Sequence, residues 1–97
     1  MPEKNLAYWF GIVIRDMRVE RGYSQEEFAY RAGIHRTYMT HVERGTKNPT
    51  LGVVAKIAHA LEVELSAIWL EVERRGGGVS PFRDPLTPHS PNPPEVG

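Results

Sequence analysis

Cysteine is absent from the 97-residue sequence, which excludes three kinds of site. Disulfide bonds, zinc sites built on thiolates and nucleophilic thiols all require it. Long apolar runs are missing too, because no stretch approaches the ~20 residues that a membrane-spanning helix needs, and the N-terminus does not have the pattern of a signal peptide. We therefore expect a soluble, cytoplasmic protein with no membrane partner.

An excess of charge of one sign is also lacking, since twelve basic and twelve acidic residues give a formal net charge of zero. The charges are nevertheless unevenly distributed. Residues 28–56 carry five cations and one anion, a local charge of +4, whereas residues 57–73 carry four glutamates and no lysine or arginine, a local charge of −4. Surface charges also segregate by chance. A polyanion responds to the local field, however, so we expect a phosphate backbone to bind the middle of the chain.

The sequence contains no arrangement typical of a catalytic or metal site. His35 and His41 are six residues apart, on different sides of a predicted helix, so they do not indicate a zinc site. The glycines at 76–78 precede a proline-rich segment rather than a helix, which argues against a phosphate-binding loop. A chain of this length suits one small domain. We expect a protein that is not an enzyme and uses no cofactor or metal.

Apolar residues recur at helical spacing in five stretches, which predicts an all-α fold. Ser24 begins the second helix, with Glu27 placed to complete a capping box, and Gly33 ends it. Gly45 ends the third helix and Thr50 offers an N-cap to the fourth. The expected inner-face residues are Leu6, Phe10, Val13, Ile14 and Met17 in helix one, Phe28, Ala29 and Ala32 in helix two, Met39 and Val42 in helix three, Leu51, Val54, Ile57, Ala58 and Leu61 in helix four, and Leu65, Ile68, Trp69 and Val72 in helix five.

The composition changes abruptly after Arg75. Three glycines are followed by a segment that holds six of the eight prolines. Such a segment buries too little apolar surface to offset the entropy lost on ordering. The sequence therefore predicts a domain over residues 1–75 and a flexible or polyproline-like tail over residues 76–97. This tail is either an inert extension or a peptide that binds a partner protein.

The third helix has one polar and one apolar face. At about 100° per residue, its outward side chains share an arc of about 140°. These side chains are Arg36, Thr37, Thr40, His41 and Arg44. Tyr38 lies at the edge of the apolar arc, so partial burial is as compatible with its position as a groove contact. Hydration alone is the alternative for His41 and Arg44. Because arginine, threonine and histidine can contact base edges in the major groove, this face predicts binding to duplex DNA.

The run SQEEFAYRAGIHRTYMTHVERGTKNPTLGVVAKIAHAL resembles the helix-turn-helix core of the XRE family, the Cro/CI-type phage and bacterial regulators. The resemblance covers residues 10–72. Its markers are the Ser24-Gln25 start, Ala29, Gly33, Glu43, Gly45, Pro49 and the Ala58/Leu61 pair. Within the family, HRTYMTHVERGTKNPT is also similar to the controller proteins of restriction-modification systems. The resemblance implies a five-helix, lambda repressor-like domain that regulates transcription by binding operator DNA.

The family pattern also implies roles for individual residues. Contacts to bases would come from Arg36, Thr37 and His41, contacts to the DNA backbone from Gln25, Lys47 and Asn48, and packing on sugar or pyrimidine edges from Tyr38. Solvation is the alternative for Gln25. An ion pair between Arg18 and Glu43 would be architectural, because it would fix helix three against helix one.

A second apolar stripe on helix one indicates a further contact. Its residues are Tyr8, Trp9, Ile12 and Val19. Leu70 in helix five likewise points away from the inner face of its helix. Either Trp9 folds over helix five within one chain, or a two-fold homodimer covers these residues. The family resemblance favours the homodimer, which would place two recognition helices about 34 Å apart on a pseudo-palindromic operator. The alternative function is an antitoxin or adaptor that binds a protein through residues 76–97 and autoregulates its operon.

Overall fold

The computed structural model describes residues 4–76, which form five α-helices and no strand. The helices are α1 (Leu6–Glu20), α2 (Gln25–Ala32), α3 (Arg36–Arg44), α4 (Leu51–Leu61) and α5 (Leu65–Arg75). This architecture confirms the predicted all-α, five-helix fold. Within residues 4–76 no helix is long and apolar enough to cross a membrane. Apart from Gly76, the predicted tail lies outside the described residues, and so do both alternatives for it, an inert extension and a peptide that binds a partner protein.

Side-chain caps begin the second and fourth helices, as the sequence predicts. Ser24 Oγ accepts a hydrogen bond of 3.0 Å from the Glu27 N–H, and Thr50 Oγ1 accepts one of 3.2 Å from the Val53 N–H. The other half of the predicted capping box is wrong. The Glu27 carboxylate instead accepts from Arg31 Nε at 3.3 Å, one turn further along α2. Arg31 is an i,i+4 neighbour of the exposed Glu27, and this ion pair replaces the expected hydrogen bond from the Ser24 N–H to the Glu27 carboxylate.

The hydrophobic core draws on all five helices. Its largest fully buried side chains are Phe10, Val13, Ile14, Phe28, Met39, Val42, Ile57, Leu61 and Ile68. Three leucines expected in the core are instead exposed: Leu6 by 44%, Leu51 by 85% and Leu65 by 43%. Each is the first residue of its helix. Because helical side chains tilt toward the N-terminus, a side chain at the first position extends past the packed part of the helix.

Two glycines allow α1 to lie directly against the end of α3. A Cβ added at Gly11 would lie 2.5 Å from the carbonyl oxygen of Val42 and 2.7 Å from that of Glu43. Gly45 has a φ of 77°, and a Cβ there would lie 2.8 Å from the Cα of Tyr8. A larger residue at either position would push the two helices apart, so these glycines set the position of α3 relative to α1.

The α5 helix packs along α1 and contacts its core-facing side. The ring centroids of Phe10 and Trp69 are 5.2 Å apart. Trp9 is half-buried and packs against the core of its own chain. This packing leaves Leu70 of α5 66% exposed and Val19 of α1 55% exposed. The fold therefore covers the aromatic residues of the stripe more fully than its aliphatic end.

Candidate nucleic-acid interface

The α3 helix is held at both ends and buried along one side. His35 caps its start, because Nδ1 of the imidazole accepts a hydrogen bond of 3.3 Å from the Thr37 N–H. Gly45 ends it in the left-handed conformation. The buried residues on its inner side are Met39, Val42 and Glu43. The opposite side of the helix faces solvent on a backbone that is fixed at its two ends.

The start of the solvent-facing side carries two residues predicted to read bases, Arg36 and Thr37, both exposed. The Arg36 guanidinium lies 3.8 Å from the Glu26 carboxylate of α2, and 61% of the Arg36 side chain is exposed. An exposed pair at this distance contributes little to stability. Loss of this partner would therefore cost the fold little.

The remaining predicted contacts lie along α3 and beyond its end. Arg44, Lys47 and Asn48 are exposed, while Tyr38 is half-buried against the core. His41 is also half-buried, and its Nδ1 lies 3.2 Å from the Thr46 hydroxyl. This hydrogen bond joins the last turn of α3 to the first residues of the following loop. The loop residues thus continue the polar side of α3 toward the start of α4.

Behind this face, Arg18 of α1 and Glu43 of α3 form a bidentate ion pair. Arg18 Nε donates to Glu43 Oε2 at 2.8 Å, and Nη2 donates to Oε1 at 3.0 Å. The third guanidinium nitrogen donates to the carbonyl oxygen of Tyr23 at 2.8 Å. Only 11% of the Arg18 side chain and 4% of the Glu43 side chain are exposed. The pair ties α3 both to α1 and to the turn before α2.

Gln25, the first residue of α2, joins this ion pair to the outward side of α3. Its Nε2 donates to Glu43 Oε1 at 3.1 Å, and its Oε1 lies 2.7 Å from the Thr40 hydroxyl. The same hydroxyl lies 3.1 Å from the carbonyl oxygen of Arg36. The structure thus connects two residues predicted to contact DNA, Gln25 and Thr40, with one predicted to be architectural.

The perturbed ionisable groups lie away from α3, where α5 meets α1. Hydrogen bonds from Arg74 and Arg75 lower the pKa of Glu71 below its ordinary value. The carboxylates of Asp16 and Glu71 raise the pKa of Arg75. The pair of Arg75 with Asp16 joins α5 to α1, whereas Glu71 pairs with Arg74 and Arg75 within α5, and none of these groups takes part in the polar face. Among residues 4–76, no cluster of three or more side chains of the metal-binding types is present.

Sequence reasoning missed three residues that position this face: Gly11, His35 as the cap of α3, and Thr46. A glycine inside an apolar helical stretch is a signal of close backbone approach, so Gly11 could have been found. His35 stands directly before the helix, but histidine is not among the preferred N-cap residues. Thr46 acts through both its backbone N–H and its hydroxyl, which donate to the His41 carbonyl oxygen at 3.0 and 3.2 Å.

Known proteins are similar to this chain in sequence and in fold. A helix-turn-helix family model matches residues 14–68, more than half of the chain. The control protein C.BamHI from Bacillus amyloliquefaciens is 39% identical over 61 residues, which cover 62% of this chain and 75% of that protein. The region matched by the family model includes α2, the turn after it and α3, the elements that build the polar face.

Solved structures of restriction-modification controller proteins are similar as well. C.AhdI from Aeromonas hydrophila superposes with a TM-score of 0.63 at 37% identity, covering 64% of this chain and 94% of that one. C.Esp1396I, crystallised as a tetramer in complex with its natural 35 base-pair operator, superposes with a TM-score of 0.69 at 30% identity, covering 73% and 93% of the two chains. With the family match across α2 and α3, the chain belongs to the XRE-type helix-turn-helix family of DNA-binding transcription regulators.

Proposed function

We propose that this protein reads a specific duplex DNA sequence by placing α3 in the major groove. The observation that carries the proposal is the charge of the outward side of α3. Glu43 is the one acidic residue among residues 36–44, and it is turned inward and paired with Arg18. The solvent-facing side therefore holds cations and neutral polar groups without an anion to repel DNA.

The dimensions of α3 suit this role. An α-helix with its side chains is about 10 to 12 Å across, so a major groove about 12 Å wide admits it, and the nine residues of α3 extend for about 14 Å. Arg36 and Thr37 lie at the N-terminal end, the end that contacts base edges in helix-turn-helix complexes. Lys47 and Asn48 in the following loop, together with Gln25 at the start of α2, flank the reading helix where phosphates would lie.

The proposal includes a homodimer on a pseudo-palindromic site. Leu6, Leu65 and Leu70 expose large apolar side chains on the two helices that pack together, α1 and α5. A related controller protein binds its operator as a tetramer. A two-fold dimer would cover apolar surface and set two α3 helices about 34 Å apart, one turn of B-DNA. It would also double the number of bases that so short a helix can contact.

Replacement of Arg36 by alanine tests the function. Sequences bound by the full chain are first selected from a random duplex pool. Arg36→Ala should then weaken binding to the preferred site by about 1 to 3 kcal/mol and relax the preference at one base pair. Lys56→Ala is the control, because this exposed lysine lies on α4, outside both α3 and the proposed dimer surface, and its removal changes the charge equally. An unchanged base preference in the Arg36 variant would contradict the assignment.

A further inference from the structure

A chain of hydrogen bonds runs from the buried ion pair to the DNA-facing side of α3. It links Arg18, Glu43, Gln25 and Thr40 in that order. Each link constrains the next, because each group has a limited set of donors and acceptors. The direction of every hydrogen bond in the chain follows from its buried end.

The orientation of the Gln25 amide is set by Glu43. A carboxylate paired with arginine can only accept hydrogen bonds, so the amide group 3.1 Å from Glu43 Oε1 must be the NH2. The amide oxygen of Gln25 is therefore the atom that faces Thr40. This oxygen can only accept, so the Thr40 hydroxyl, 2.7 Å away, must donate to it.

The Thr40 hydroxyl has one proton, which it donates in the hydrogen bond to Gln25 Oε1. The other acceptor within reach, the carbonyl oxygen of Arg36, is farther away at 3.1 Å and is also the acceptor for the helical hydrogen bond from the Thr40 N–H. With the proton turned toward Gln25, the hydroxyl presents its lone pairs to any other partner. Thr40 is half-exposed on the outward side of α3, so that partner can be a base.

We infer that the Thr40 hydroxyl accepts a hydrogen bond from a base edge. Gln25 is the positioning residue, because the hydroxyl donates its proton to the Gln25 amide oxygen and can then only accept from the base. In the major groove the donors are the exocyclic amino groups of adenine and cytosine, whereas guanine and thymine present acceptors. Thr40 should therefore select adenine or cytosine over guanine or thymine at one position of one strand. This inference rests on the proposed function and adds a base class that the outward face alone does not specify.

The same geometry leaves Gln25 able to contact DNA directly. Its NH2 group has two hydrogens, and one of them is donated in the hydrogen bond to Glu43. The second is available to a phosphate, as expected for a residue at the start of α2. Docking on the backbone and orientation of the Thr40 hydroxyl are thus compatible in one side chain.

The test compares base preferences for variants of the full chain. Sequences selected from a random duplex pool define the preference at each position for the native protein, for Thr40→Val and for Thr40→Ser. Thr40→Val keeps the shape and a methyl group but removes the hydroxyl, so one position should lose a preference for adenine or cytosine of about three- to tenfold. Thr40→Ser keeps the hydroxyl and should retain that preference.

The Gln25→Ala variant separates positioning from stability. Without the amide oxygen, the Thr40 hydroxyl can turn its proton toward a base as well as toward the Arg36 carbonyl oxygen, so guanine and thymine should gain relative to adenine and cytosine at that same position. A purely structural role for Gln25 would lower the melting temperature without moving this ratio, and that result would overturn the inference.

Two further outcomes count against the inference. A native preference for guanine or thymine at the Thr40 position would overturn it, as would retention of every base preference by Thr40→Val. If Arg36→Ala alters a base preference while Thr40→Val alters none, the proposed function stands and the Thr40 inference falls. If the native chain selects no duplex sequence, both fall.

Discussion

Glu43 is the residue that links the buried ion pair to the polar face of α3. Its carboxylate accepts two hydrogen bonds from Arg18 and one from Gln25, and only 4% of its side chain is exposed. A buried ion pair is not by itself evidence of net stabilisation, because burial of two charges costs desolvation energy. Removal of one partner is different, since it leaves the other charge buried without compensation.

Glu43→Ala should lower the free energy of unfolding by about 3 kcal/mol, because Arg18 would remain buried without a counter-ion. Denaturant unfolding of the full chain measures this change. Glu73→Ala, an exposed glutamate on α5, is the control and should change stability by under about 0.5 kcal/mol. Equal stability of the native and Glu43→Ala proteins would show that the pair is not architectural.

The sequence supplied part of this residue-scale account. Helical periodicity placed Thr40 on the outward arc and Glu43 near its border, and the family resemblance implied a pair with Arg18. The role of Gln25 could not be derived in the same way. Its amide orientation depends on Glu43, 18 positions away, and on how closely α2 and α3 pack.

Between elements, the contact of α1 with α3 decides where the reading helix lies. The buried Gly11 faces the carbonyl oxygens of Val42 and Glu43, which belong to the last turn of α3. A shift of α1 at this point would move the ion pair and the end of α3 together. Helical periodicity does not report such distances, because it describes each helix separately.

Gly11→Ala should destabilise the protein by about 1 to 3 kcal/mol, because the added methyl group would meet backbone atoms that cannot turn aside. Gly52→Ala in α4 is a matched control, since a Cβ there would have its nearest neighbour, Thr50 Oγ1, at 3.9 Å. Alanine has the higher helix propensity, so the control should gain up to about 1 kcal/mol. Thermal unfolding of both variants checks the contrast, and a stabilised Gly11→Ala protein would show that α1 and α3 are not in close contact.

The loop between α3 and α4 should act on DNA without reading its sequence. Lys47 is exposed there, and we expect it to neutralise a phosphate. Lys47→Ala should weaken binding to all sequences similarly and reduce the slope of log K against log salt concentration by about one. Arg74→Ala on α5 is the control for loss of a cation and should keep the native slope. A change in base preference alone would assign Lys47 to reading instead.

At the scale of the whole molecule, the exposed leucines of α1 and α5 provide the test of assembly. Leu70→Glu should give a folded monomer that binds DNA poorly, because a charge would be buried in the proposed two-fold interface and each half-site alone offers few contacts. Sedimentation and DNA titration of the full chain measure both effects. Leu51→Glu, at an 85% exposed leucine on α4, is the sedimentation control and should stay dimeric. A monomeric native protein bound to a single half-site would overturn the dimer.

Local sequence patterns predicted the five helices, the caps at Ser24 and Thr50, and the side of α3 that faces outward. These features depend on residues within one or two helical turns, because backbone hydrogen bonds, N-caps and the 3.6-residue period of the helix all join residues that are close in sequence. The same local patterns wrongly placed the leucines at the start of α1, α4 and α5 in the core. Periodicity shows which side of a helix is apolar, but not how far along the helix the neighbouring helices pack against that side.

Packing between helices sets the close approach at Gly11, the bidentate geometry of the Arg18–Glu43 pair and the direction of the Thr40 hydroxyl. Each joins residues from different helices, with separations of 25 positions for the ion pair and 15 for the bond between Thr40 and Gln25. Such contacts form when packing brings helix backbones to particular distances. Burial then leaves each polar group only the partners that packing supplies, which is why the orientation of a surface hydroxyl follows from an ion pair in the interior.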